Sequence, residues 1–171
     1  MEVGVDRLLG PRAESPGVGL KRVAVIGCAG AGKSTFSRQL AEVTGLPLTH
    51  LDRCFWRPGW VETPTEKWRG LVAELASEER WILDGNYSST LDLRLPLADT
   101  IVFFDYPRHI CAYRVLKRSA LSRPRPDLPE GCEERIFGAG FFSFFGWVWN
   151  FNTRSRPNIE KALSSLTHQP E

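Results

Sequence analysis

The chain has 171 residues, 42% of them apolar and 25% charged, with a formal net charge of +2. That is long enough for one domain with a real core, and the charge is too small to mark a nucleic-acid or membrane-surface binder by itself. Four scattered cysteines, Cys28, Cys54, Cys111 and Cys132, contain no C-x-x-C pair, which argues against a zinc site or disulfide framework and fits a reducing, cytoplasmic compartment. The first residues lack an apolar signal core, and no run reaches the ~20 apolar residues that a membrane helix needs.

Residues 1–20 are rich in Gly and Pro and show no sustained period, so they read as a flexible tail before a folded domain at 21–171. Residues 22–26 carry four consecutive apolar side chains, the pattern of a central parallel strand covered on both faces. Gly27-Cys28-Ala29-Gly30-Ala31-Gly32-Lys33-Ser34-Thr35 follows and fits G-x-x-x-x-G-K-[ST], the phosphate-binding loop of ATP- and GTP-using proteins. Its glycines let successive N–H groups turn toward an anion. The next helix, expected at 32–44, adds the positive end of its dipole. Lys33 reaches the terminal phosphates and the Ser34 hydroxyl is a magnesium ligand. Phe36, Leu40 and Val43 form the apolar stripe of this helix, and Gly45 supplies its C-cap.

Residues 47–51 read as a second, weaker strand ending in Asp52, then a loop with two tryptophans and two arginines, from Arg53 and Trp56 to Trp60. Thr63 is the expected N-cap of the next helix, with Glu66 closing a capping box and Trp68, Leu71, Val72 and Leu75 on one face. Residues 80–84 form a third strand, followed by Asp84-Gly85-Asn86-Tyr87, and 100–104 a fourth, followed by Asp105. Pro107 opens a helix to about residue 121. The aromatic run 141–149 is helical, and a last helix starts at Arg156-Pro157. Alternating strands and helices imply an α/β fold: a three-layer phosphate-loop architecture with a short parallel sheet of about four strands flanked by helices. Ligands of such sheets bind beyond the carboxyl ends of the strands, where each notable polar cluster lies.

Between Arg108 and Arg125 there are six basic residues, Arg108, Arg114, Lys117, Arg118, Arg123 and Arg125, and no acidic one. Arg114 and Arg118 share a helix face and lead into a Pro-rich stretch. The cluster reads as a basic lid, about 118–135, whose arginines swing over a polyphosphate. Aromatic residues are not interleaved with these arginines as a nucleic-acid stacking surface requires.

The stretches GCAGAGKST, HLDRCFWRPGWVETPTEKW, WILDGNYSSTLDLRLPLADT, FFDYPRHICAYRVLKR and WNFNTRSRP resemble the adenylate-kinase-like phosphate-loop kinases, and most closely the bacterial DNA topology modulation proteins. The resemblance implies an ATP-binding core, an acceptor segment after the second strand and a lid after the fourth. It assigns nucleotide phosphates to Lys33 and Ser34, a water-mediated magnesium contact to Asp84, lid-hinge arginines to Arg114 and Arg118, and later phosphate contacts to Arg154 and Arg156. Three departures matter. The adenylate-kinase D-G-F-P-R segment is here Asp84-Gly85-Asn86-Tyr87-Ser88, without the arginine that grips a nucleoside monophosphate; Arg94 is the one nearby substitute. Asp52 follows a strand, as in kinases that phosphorylate hydroxyls and need a base. The chain stops soon after its last helix, where relatives add a fifth strand.

These residues are consistent with transfer of the γ-phosphoryl of MgATP to a small acceptor. Gly27, Gly30, Ala31, Gly32, Lys33, Ser34 and Thr35 would hold the phosphates, Asp52, Arg53, Trp56, Asn86 and Tyr87 the acceptor, and Arg114 and Arg118, with Arg123 or Arg125, would close over the transferring group. The competing expectation is a non-catalytic nucleotide-binding regulator, with or without an association with nucleic acid. The partners expected are a nucleoside triphosphate and a small molecule, with the chain acting as a monomer, or else a dimer.

Overall fold

β1 (Arg22–Gly27) owes its place at the centre of the sheet to having no polar side chain beyond Arg22. The computed structural model describes residues 19–121, 125–132, 136, 138 and 140–167. Val23, Ala24, Val25 and Ile26 are all fully buried. Successive residues of a strand point to opposite faces, and the two faces fill two different cores. Val23 and Val25 pack with Leu46 and Ile82 beneath Phe36 and Leu40 of α1 (Lys33–Thr44). Ala24 and Ile26 join Leu51, Trp68, Val72, Leu83, Val115, Phe151 and Ile159 on the other side. Each large apolar side chain so covered contributes roughly 1.5–3 kcal/mol.

The four-stranded sheet runs β2 (Leu48–His50), β5 (Trp81–Asp84), β1, β6 (Thr100–Phe104), and every pairing is parallel. Between β2 and β5 come α2 (Leu51–Phe55), an antiparallel hairpin of β3 (Trp56–Arg57) and β4 (Val61–Glu62), and α3 (Thr65–Ser77). A 3-10 turn at Ser88–Thr90 and α4 (Leu91–Arg94) lead to β6. After β6 come α5 (Arg108–Leu121), α6 (Phe141–Trp149), α7 (Phe151–Arg154) and α8 (Arg156–Thr167). Register aligns His50 with Asp84, Asp84 with Val25, and Val25 with Val102. The carboxyl ends of all four strands therefore open onto one edge.

Four local expectations are corrected. The segment after β2 is a helical turn plus a hairpin rather than a plain loop. Thr63 does not cap α3: Pro64 occupies the N-cap with no side-chain hydrogen bond, while the Thr63 hydroxyl donates to Phe55 O at 2.7 Å. The hydroxyl is thus used to tie down the hairpin. Val43 is 72% exposed because the sheet meets only the Phe36–Leu40 side of α1. Leu20 packs against the second core and is not part of a tail; residues 1–18 lie outside the described residues. Gly45 does close α1 in the left-handed conformation, its N–H donating to Ala41 O at 2.9 Å. Among the described residues no helix is long and apolar enough to cross a membrane.

Candidate active site

The turn from β1 into α1 brings Gly27, Gly30, Ala31, Gly32, Lys33, Ser34 and Thr35 together at the open edge of the sheet. Gly30 sits at φ 81°, and a Cβ there would come within 2.4 Å of Cys111 O on α5, so no side chain fits. α1 begins without a side chain capping its first turn. The amides that a helix leaves unpaired at its start remain available to an anion. Lys33 Nζ donates to Cys28 O at 3.0 Å, which keeps the ammonium at the loop. Arg114 Nη1 donates to Ala31 O at 3.4 Å, and its guanidinium lies 5.1 Å above the Tyr106 ring. Arg114 is therefore already at the loop and does not have to swing there. Arg118 lies one turn farther along α5 and is half-buried.

Asp84 closes β5 beside the loop. Its Oδ2 accepts from His50 Nδ1 at 2.7 Å, and its Oδ1 is buried without a partner. A bare carboxylate oxygen in the interior is costly; a metal-bound water would satisfy it, so Asp84 fits the magnesium role. Among the described residues no group of three His, Cys, Asp or Glu gathers to hold a metal ion. The remaining ligands would be the Ser34 hydroxyl and phosphate oxygens.

The opposite side of the cleft is built from side chains. Asp52 sits in α2, and its Oδ1 accepts from the Tyr87 hydroxyl at 2.7 Å. Burial raises the Asp52 carboxyl above the ordinary carboxylate value; the Tyr87 hydrogen bond, Lys33 and Arg125 pull it back, and Asp84 adds to the rise. Lys33 and Asp52 thus share one electrostatic neighbourhood across the cleft. Tyr87 is held by aromatic rings, with centroids 4.8 Å from both Phe55 and Trp68. Desolvation pushes its phenol above the ordinary value, and the Asp52 charge pushes it further. Trp56 meets Phe55 edge-on at 4.9 Å and Trp60 edge-on at 5.3 Å.

The backbone that presents Tyr87 is unusual. Gly85 has φ 150°, where a Cβ would lie 2.9 Å from Leu51 Cβ, and Tyr87 itself has φ 28°. Such a conformation in a bulky residue costs energy and persists only where surrounding contacts enforce it. Arg94, fully buried, supplies one such contact, since its guanidinium bonds the Asn86 carbonyl. Desolvation lowers Arg94 to about 10, with Asp84 and Tyr87 opposing the fall. Arg94 is therefore a prop beneath the loop, and its Nε and Nη1 are buried without a hydrogen-bond partner. Asn86 is 8% exposed, with Nδ2 3.4 Å from Ser88 Oγ.

Residues 125–132 of the expected lid pack on the hairpin. Gly59 N–H donates to Gly131 O at 3.1 Å, and the Cys132 thiol to Arg57 O at 3.1 Å. Against the desolvation of its burial, the Arg125 ion pair holds Asp127 down at about 2. Arg123 lies outside the described residues.

No family model matches the chain, and no curated protein does. Solved structures do. Shikimate kinase from Acinetobacter baumannii in complex with shikimate aligns at a TM-score of 0.53 and 17% identity, over 84% of this chain and 80% of that one. The fold is that of the phosphate-loop kinases. A gluconokinase from Sinorhizobium meliloti 1021 aligns at a TM-score of 0.44 and 18% identity, over 82% of this chain and 95% of that one. Deoxyadenosine kinase from M. mycoides with bound dCTP aligns at 0.37 and 13%, over 86% and 100%.

The other expected site residues on this fold are Arg53, Arg154 and Arg156. Arg156 is engaged by Asp105 at 2.8 Å and by Glu160 at 3.2 Å. Arg154 is exposed at the end of α7, and Arg53 is exposed on α2. His50, Phe55 and Trp68 were missed as site residues. Position after a strand pointed to Asp84, and the same argument applied one strand over would have found His50, its register partner.

Proposed function

We propose that the chain is a phosphotransferase that moves the γ-phosphoryl of MgATP to a hydroxyl of a small acceptor. The observation that carries this reading is Asp52: a carboxylate on the acceptor side, raised by burial, fixed by Tyr87 and facing the charge of Lys33. A phosphate acceptor arrives ionised and needs no base, whereas a hydroxyl gains from one. No arginine directly follows Asp84-Gly85, and Arg94 is fully buried beneath the loop, so a nucleoside monophosphate lacks its usual anchor.

In this mechanism Lys33 and the loop amides hold the phosphates, and Arg114 stabilises charge on the transferring group. Ser34, and Asp84 through water, would hold magnesium, which would supply neutralisation of phosphate charge. Asp52 takes the acceptor proton as the acceptor oxygen bonds to the γ-phosphorus. The bond between that phosphorus and the β–γ bridging oxygen breaks, leaving ADP and a phosphate monoester. Arg118, Arg125, Arg154 and Arg156 are further candidates to contact phosphates, and Trp56 and Asn86 to line the acceptor site. The quoted stretches support kinship with the topology modulation proteins, and the scattered free cysteines support a cytoplasmic location.

The test is a transfer screen with MgATP against small alcohols, nucleosides and nucleoside monophosphates. Transfer to a hydroxyl, lost in Lys33→Ala and strongly reduced in Asp52→Asn, supports the reading. Transfer to monophosphates unaffected by Asp52→Asn refutes the acceptor assignment, and turnover surviving Lys33→Ala refutes the site.

A further inference from the structure

His50 takes no part in the chemistry above, yet it holds one of the oxygens that chemistry depends on. β2 is a three-residue strand at the edge of the sheet. Its last residue, His50, is the register partner of Asp84, the last residue of β5. Partners in a parallel pair turn their side chains to the same face of the sheet, and here the two meet, His50 Nδ1 lying 2.7 Å from Asp84 Oδ2. Their side chains are 10% and 3% exposed.

The two oxygens of Asp84 are treated differently. Oδ2 has the histidine, while Oδ1 is buried with no hydrogen-bond partner among the described residues. The two basic side chains of this neighbourhood are used elsewhere: Arg94 bonds the Asn86 carbonyl, and Lys33 Nζ the Cys28 carbonyl. An ionised carboxylate only accepts, so the proton of the short contact belongs to Nδ1. The last torsion of an aspartate is broad and two-fold, and an untethered carboxylate would exchange its two oxygens freely. A 2.7 Å bond from a nearly buried ring removes that freedom. One oxygen is then spoken for, and the other is kept bare at the end of β5. A buried acceptor without a donor is costly, so the arrangement suits a position that a donor occupies during function.

We propose that His50 is a positioning residue for the divalent cation: by taking Oδ2 of Asp84, it fixes Oδ1 as the oxygen that receives a metal-bound water. The presence of that cation rests on the phosphotransferase reading; the hold of His50 on Asp84 does not. Hydrogen bonds from outside a coordination sphere set the direction of the oxygens within it, and losing one weakens metal affinity about 10–100-fold. Because Asp84 would act through water, the lower end of that range is expected. The competing role is mechanical, with the pair only pinning a short edge strand to β5. Removing it would then lower the melting temperature and leave the metal untouched.

The experiment uses the full chain, with Mn2+ as the probe because it favours the same oxygen ligands as Mg2+. Calorimetry without acceptor gives the dissociation constant of ATP in Mn2+ and in EDTA, and their ratio reports how far the metal tightens the nucleotide. His50→Phe keeps a ring and removes the donor; His50→Asn keeps an N–H close to the place of Nδ1. The ratio is expected to fall about 10-fold in His50→Phe and to stay near wild type in His50→Asn. It should fall no further when His50→Phe is added to Asp84→Asn, since both act through one contact. An unchanged ratio in His50→Phe overturns the proposal, as does equal loss in both His50 variants, or a loss that adds to that of Asp84→Asn.

Should His50→Phe not fold, the wild-type chain still decides. Long-range proton–nitrogen NMR of the imidazole is expected to find the proton on Nδ1 of His50, and a bare Nδ1 overturns the proposal. The two levels of failure are distinguishable. If wild type binds no ATP with or without Mn2+, the phosphotransferase reading falls and the role of His50 with it. If Mn2+ tightens ATP equally in wild type and His50→Phe, the reading stands and only the role of His50 falls.

Discussion

The two ends of the cleft are made of different material. The phosphate end is main chain: glycines, the uncapped start of α1, and a lysine resting on a loop carbonyl. The acceptor end is side chain: Asp52, Tyr87, Phe55, Trp56 and Trp68, collected from α2, β3, α3 and the turn after β5. Main-chain amides recognise a group that never changes, a polyphosphate. A carboxylate within a set of rings can be retuned by single substitutions. On the proposed function, the contrast locates specificity: the phosphate end is generic, and the identity of the acceptor is written at the other.

Variants can break or sharpen that contrast. The largest effect should come from Lys33→Ala, which removes the ammonium of the generic end; kcat is expected to fall by at least about 10³-fold, measured by ADP release. Asp52→Asn should reduce kcat by about 10²–10⁴-fold with little change in the KM for ATP, since the phosphate end is untouched. The wild-type kcat/KM should fall as pH drops through the raised pKa of Asp52, above 3.8, and that limb should vanish in the variant. A raised folded-state pKa also means that the stability this group contributes at low pH is lost as pH rises through it. Asp52→Asn should therefore melt higher than wild type at neutral pH. Arg94→Ala removes the prop beneath Asn86 and leaves Asp84 without its buried counter-charge; thermal unfolding should show a loss of about 3 kcal/mol. Tyr87→Phe deletes one hydrogen bond to a carboxylate, worth about 1.5 kcal/mol. Because that bond lowers the Asp52 pKa, its removal should move the acid limb upward. Thr63→Val should cost about 1 kcal/mol through the lost bond to Phe55 O, with kcat for transfer little changed.

The same contrast explains what could be read from the chain. The phosphate loop was legible because its parts are contiguous: strand, glycines, lysine and helix fall in order within residues 22–44. The strands were legible because a parallel strand covered on both faces must be continuously apolar. The acceptor end was legible only residue by residue. Asp52 and Tyr87 were each singled out by position after a strand, but their bond spans 35 residues, and no local pattern encodes it. His50 passed as unremarkable because a lone histidine has no spacing to read, although register places it on Asp84. Arg94 was read as the nearby substitute for a nucleotide-gripping arginine because sequence carries no sign of burial. Thr63 and Glu66 matched a capping box, and tertiary structure overrode it by recruiting the hydroxyl to the hairpin.

One contact deserves its mechanical consequence. Gly30 and the Cys111 carbonyl meet with no space for a methyl group, and Arg114 bonds Ala31 across the same seam. Two backbones pressed together at van der Waals range transmit displacement with almost no slack. The start of α5 and the cradle must then travel as one rigid piece, so a substitution that pries this seam open would disturb the loop and the first turn of the helix together.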